Sequence, residues 1–147
     1  MSEISLITKR YDDIVDFTSK VNKSVIVFKK KTLLNERGIS DKYPKLKLKQ
    51  EEVDKAEAEL LDSLLQLEQL AKETEYSNKL TGLSESSVLR QMVFNNETDR
   101  KEIESIIQNL KEHKPFEKFH FVMLDKIISA LDNERNLLFR KLRTARG

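Results

Sequence analysis

By residue type, His113 and His120 are the side chains best suited to proton transfer or metal binding, and they lie seven positions apart on either side of Pro115. No acid–histidine pair at ligand spacing accompanies them, and the chain has no cysteine to complete a thiolate metal set. Carboxylates are densest at Glu51, Glu52, Asp54, Glu57 and Glu59, where they alternate with strong helix formers. A solvated helical face has that composition, whereas acid–base work needs a pocket that shifts one pKa. Glycine-rich phosphate loops, a nucleophile elbow and a Walker lysine are all missing from the sequence. These residues point away from an enzyme: no catalytic residue, metal ligand or cofactor is assigned.

Charge supplies the other chemistry, and it is uneven. Net charge is only +2, so overall basicity gives no grip on nucleic acid. Locally, Lys29, Lys30, Lys31, Arg37, Lys42, Lys45, Lys47 and Lys49 face only Glu36 and Asp41. The stretch that follows reverses sign, with Glu51 through Glu75 opposed by Lys55 and Lys72. Lys29, Lys30, Lys31, Lys45, Lys47 and Lys49 form the candidate anion-binding set. Three readings fit: solubilising lysines at a helix end, a site for anionic lipid or another phosphate-rich surface, or a site for an acidic protein. Nucleic acid is disfavoured, because only Phe28 and Tyr43 lie near enough to stack on bases and no binding module surrounds them.

Long helices must position these groups. In 147 residues there are three Gly and two Pro, with 35% charged and 38% apolar side chains; that is the composition of a few long helices in one domain, residues 1–147. Gly38 and Pro44, Gly82, and Pro115 divide the chain into helices at about 3–36, 44–78, 85–112 and 115–144. Ser86 and Ser87 are possible caps of the third. The first helix carries Ile4, Ile7, Tyr11, Ile14, Thr18, Val21, Val25 and Phe28 at alternating steps of three and four, a coiled-coil-type seam that Val15, Ile26, Leu33 and Leu34 broaden. The last helix carries two stripes, one through Phe121, Leu124, Ile128, Leu131, Leu138 and Leu142, the other through Phe116, Met123, Ile127, Ala130 and Leu137. The third is interrupted by Asn95, Asn96, Asp99 and Arg100, which reads as a local break or as a polar patch that sets register with a partner.

The expected fold is all-α, an antiparallel bundle or coiled coil of three to four long amphipathic helices. An up-down-up-down course would bring Lys111, Lys114 and Lys118 to the first lysine cluster and make one end basic. The competing arrangement runs the last two helices together through Pro115. No apolar run approaches the roughly 20 residues of a bilayer span. The first ten residues lack the pattern of a secretory signal, so the expected location is the cytoplasm or nucleus.

Pro44-Lys45-Leu46 followed by Asp54-Lys55-Ala56-Glu57-Ala58-Glu59-Leu60 resembles the middle helix of the crescent-shaped membrane-curvature (BAR) domains, over residues 44–60 alone. That resemblance implies binding to anionic membrane. The periodicity itself favours a scaffold or adaptor subunit that packs helices with itself or with helical partner proteins, through Ile14, Val21, Val25, Leu131 and Leu138.

Overall fold

The computed structural model of the chain describes residues 3–36, 42, 48–80 and 87–146. The elements are α1 (Glu3–Glu36), α2 (Gln50–Leu80), α3 (Val88–Arg90), a π-helical turn (Gln91–Asn95), α4 (Glu97–Lys111) and α5 (Lys118–Arg146). Among the described residues there is no strand.

Direction follows from the pairs that tie the helices. Arg10, early in α1, donates to Glu73, late in α2, at 2.8 Å. Lys29, late in α1, meets Asp125, early in α5, at 2.9 Å. His113, just past α4, lies 2.6 Å from Glu57 in the first turns of α2. Successive long runs are therefore antiparallel, and the contacts place them round the bundle in the order α1, α2, α4, α5. Pairs of this kind contribute about 0–1 kcal/mol each at a surface, against about 1.5–3 kcal/mol for each fully buried aliphatic side chain. Burial decides the fold.

The core uses the stripes that the sequence displays on the first and last helices, joined by one face of α2. Ile7, Ile14, Val21, Val25 and Phe28 of α1 are buried, as are Leu60, Leu64 and Leu67 of α2. Thr18 interrupts the α1 stripe without an unmet donor, since its hydroxyl donates to the Ile14 carbonyl at 2.7 Å. In α5 both stripes contribute, with Leu124, Leu131 and Leu138 from one and Met123, Ile127 and Ala130 from the other, because α5 packs on α1 and α4 at once. At one end Phe116 stacks obliquely on Phe28 at 4.9 Å and edge-on to Phe121 at 5.7 Å, fixing the start of α5 beside the end of α1.

The third segment, described from residue 87 to 112, does not form one helix. Ser87 caps α3 by accepting the Arg90 amide at 3.1 Å. The chain then widens through the π turn and breaks at Asn96, which is extended (φ −106°, ψ 103°). Asn96 restarts the helix by accepting the Asp99 amide at 3.1 Å, a cap worth about 1 kcal/mol. Asp99 is itself buried and bonded to Lys126 of α5 at 2.7 Å. The polar interruption is thus a local break, with Asp99 tied to the chain's own last helix.

Nor do the last two segments run together through Pro115. His113 adopts the left-handed conformation (φ 58°). The Lys114 amide reaches the Asn109 carbonyl at 2.9 Å and the His113 amide reaches Leu110 at 3.4 Å. This pair of bonds is a Schellman closure, with histidine where glycine is usual. α5 begins three residues after the proline, since Pro115 cannot donate to a continuing helix.

One buried side chain breaks the pattern. Glu134 is fully buried, and neither carboxylate oxygen has a hydrogen bond. Burial pushes its carboxyl above the ordinary glutamate range, while the nearby Ser87 hydroxyl pulls weakly the other way without meeting hydrogen-bond geometry. A raised folded-state pKa means that this group favours the fold while protonated, and that its contribution is lost as pH rises through the folded value. Glu134→Gln is therefore expected to remove a stability component that falls from acidic to neutral pH, read by urea melts at several pH values; an unchanged pH profile would contradict it. Leu131→Ala should cost about 2–5 kcal/mol in the same melts, and a cost under about 0.5 kcal/mol would show that the site is not core.

Candidate functional site

The residues expected to dock a partner lie inside the chain's own bundle. Ile14, Val21, Val25, Leu131 and Leu138 are each at most 2% exposed and belong to one apolar cluster. Their periodicity is that of a core seam, and α2 and α5 occupy it. In the folded chain these five side chains lie inside the bundle and present no surface of their own to a partner.

The lysine set is partly placed. Lys45 and Lys47 lie outside the described residues. Lys30 and Lys49 are exposed, and Lys29 is engaged with Asp125. Lys31 and Lys114 line one small crevice of about 30 Å³ with Glu57 and Asn109, so the α4–α5 joint does meet the lysine-rich end of α1. Glu57 and Glu112 temper that end, the latter 2.9 Å from Lys114 Nζ. Lys114 and Gln108 hold the Glu112 carboxyl below its ordinary range.

Ser105 and His120 form a pair that looks catalytic by type. His120 Nε2 lies 2.9 Å from Ser105 Oγ. The backbone settles the roles: the Glu117 amide donates to His120 Nδ1 at 2.9 Å, so Nδ1 is the bare nitrogen and Nε2 carries the proton. The imidazole therefore donates to the serine and cannot accept its proton, the reverse of what nucleophile activation requires. His120 is a buried helix-start brace, leaning on Phe116 at 5.6 Å. Among the described residues no three His, Asp or Glu side chains converge on a metal-sized site.

What the outer face does present is apolar. Ile4, Val15, Ile26 and Leu33 of α1 are 41%, 39%, 61% and 46% exposed. The first three are eleven positions apart and Leu33 follows seven after Ile26. Eleven residues make just over three helical turns and seven just under two, so all four share one outward stripe along α1. Tyr11, half-buried beside it, meets the half-exposed Phe139 of α5 at 6.2 Å, which sets the stripe toward the α1–α5 seam. Val15, Ile26 and Leu33 were expected to widen the buried face; they are instead left uncovered, because the core-facing side of α1 is already filled at Ile14, Val25 and Leu34. The eleven-residue step was visible in the sequence, but a spacing does not say which side of a helix is inside.

Comparisons with protein-family models, with curated proteins and with solved structures found no match to the chain. The fold stands on its own packing, and function has to be argued from its surface. Among the described residues no helix is long and apolar enough to cross a membrane.

Burial holds the His120 imidazole below its ordinary pKa, against the opposing pull of Glu117 and Glu102. Its neutral form is the folded one, so its contribution is complete above the ordinary histidine value near 6.5 and declines as pH falls below that toward the folded value. Urea melts between pH 7.5 and 5.5 should show that decline in the native chain and a flatter profile in His120→Gln. Identical slopes would remove His120 from the account.

Proposed function

We propose that the chain is a non-enzymatic helical adaptor, a scaffold subunit that binds other helical proteins through packing on its outer faces. The observation that carries this reading is the exposed apolar stripe of Ile4, Val15, Ile26 and Leu33 along the 34-residue α1. Scattered apolar side chains on a surface are ordinary. Four on one line of a helix present the ridge that a partner helix packs against, at intervals that keep a nearly straight contact in register. The seam interior being already satisfied, association would add a helix outside the bundle without opening it.

A second reading, attachment to an anionic membrane, draws support from the lysines gathered at one end, where Lys31 and Lys114 line a common crevice. Each lysine near such a surface adds about 1 kcal/mol. It predicts sedimentation with anionic vesicles that added salt weakens.

The adaptor reading is tested with Val15→Glu combined with Ile26→Glu, positions whose exposure lets the fold tolerate charge. Affinity purification from cells and light scattering of the pure chain should show partners, or self-association, with the native chain and their loss with the double variant. Helicity by circular dichroism should be unchanged. A chain that remains monomeric and retains the same proteins with and without the substitutions would overturn the reading.

A further inference from the structure

α2 and α4 do not close on each other as α1 closes on its neighbours. Two depressions follow one another along their seam, about 400 and 220 Å³ in volume. The first is floored by Ala58, Leu61 and Leu110 and the second by Leu65, Val93 and Ile107. One helical turn separates them on each wall, Leu61 to Leu65 on α2 and Ile107 to Leu110 on α4. Lying in line, the two depressions, taken together as a trough, span Asp54 to Glu68 of α2, about 20 Å at 1.5 Å per residue. Leu65 in its floor is 56% exposed. In the order α1, α2, α4, α5 this seam lies diagonally across the bundle from the α1–α5 seam that the outward stripe borders.

Charge along the trough selects an occupant. Asp54, Glu57, Glu68 and Glu104 line it against Arg100, Lys111 and His113, whose ring lies 2.6 Å from Glu57, and α2 starts from an acidic first turn at Glu51 and Glu52. A trough about four turns long, apolar at its floor and with more acidic than basic side chains along its walls, complements one kind of ligand, a helix with apolar residues at i, i+3 or i+4, and i+7 and with Lys or Arg beside them. We propose that the α2–α4 trough is a docking site for a basic amphipathic helix of a partner protein. This extends the adaptor reading to a second face, and it rests on the view that the chain works by helix contact. An adaptor with unlike apolar faces on opposite sides joins two different partners.

The probe is a synthetic helix of ~14 residues with leucine on one face and lysine on the other, compared by fluorescence anisotropy with a twin carrying glutamate for every lysine. The full-length chain is expected to bind the lysine peptide at least about tenfold more tightly than its twin. Leu65→Ser combined with Ile107→Ser should weaken that binding by about tenfold or more, as loss of two apolar contacts implies. Glu68→Lys with Glu104→Lys should reverse the preference between the peptides. Leu65 and the two glutamates are exposed, and circular dichroism confirms that each variant folds. Val15→Glu with Ile26→Glu should leave peptide binding unchanged, so failure of the α1 stripe and failure of the trough are read separately. Three results would overturn the proposal: equal affinity for both peptides, binding indifferent to the trough substitutions, or self-association of the native chain that Leu65→Ser abolishes, which would make the trough an interface between copies.

Discussion

The structure depends on one burial. The inner stripe of α1 is covered by α2 on one side and α5 on the other, so the first and last helices are held together across the whole chain. Side chains as far apart in sequence as Tyr11 and Phe139 meet because of it. Everything else is arranged round that closure: α4, less than half the length of α1, completes the ring between α2 and α5. The two surface features on which the proposals rest follow directly. Filling one side of α1 leaves a flanking apolar stripe outside, and closing the ring with a short helix leaves a trough beside α2.

Polar groups set the punctuation of this bundle more than its strength. Ser87 and Asn96 accept the amides that start α3 and α4, and His120 accepts the Glu117 amide where α5 begins. Each satisfies a donor that a helix end leaves orphaned. The same logic disposes of Ser105–His120 as chemistry, since capping through Nδ1 leaves the ring proton on Nε2, the nitrogen that faces the serine. Glu134 and Asp99 show the two fates of a buried carboxylate. Asp99 keeps Lys126 at 2.7 Å, and Glu134 has no hydrogen bond and is pushed toward its neutral form.

Much of the architecture was legible in the residues. The three-and-four spacing of Ile7, Ile14, Val21 and Val25 named the inner face of α1, and the double stripe of α5 announced a helix with neighbours on two sides. Ser87 could be read as a cap from its type and place. Less legible were features that depend on what a side chain faces. Val15 and Ile26 belong by composition to a core, and only the filled interior shows that they are outside. His113 in a left-handed closure carries no signature that distinguishes it from a helical histidine. Glu134, between Asn133 and Arg135, reads as one more solvated residue until Ser87 and its helix are folded over it. That Ile14, Val21, Val25, Leu131 and Leu138 are covered by the chain's own helices was illegible for the complementary reason: a regular seam looks the same whether its partner is the same chain or another.

The central claim is that α1 has one face sealed within the chain and one face open. Because the sequence contains no cysteine, single thiols report on each face without background. Rates of maleimide labelling should be compared for Ile14→Cys, Val21→Cys, Val15→Cys and Ile26→Cys in the native chain. The account predicts that the thiols at 15 and 26 label as fast as in unfolded chain, while those at 14 and 21 are protected until the bundle unfolds. Rapid labelling at 14 and 21, or protection at 15 and 26 in dilute pure protein, would contradict it.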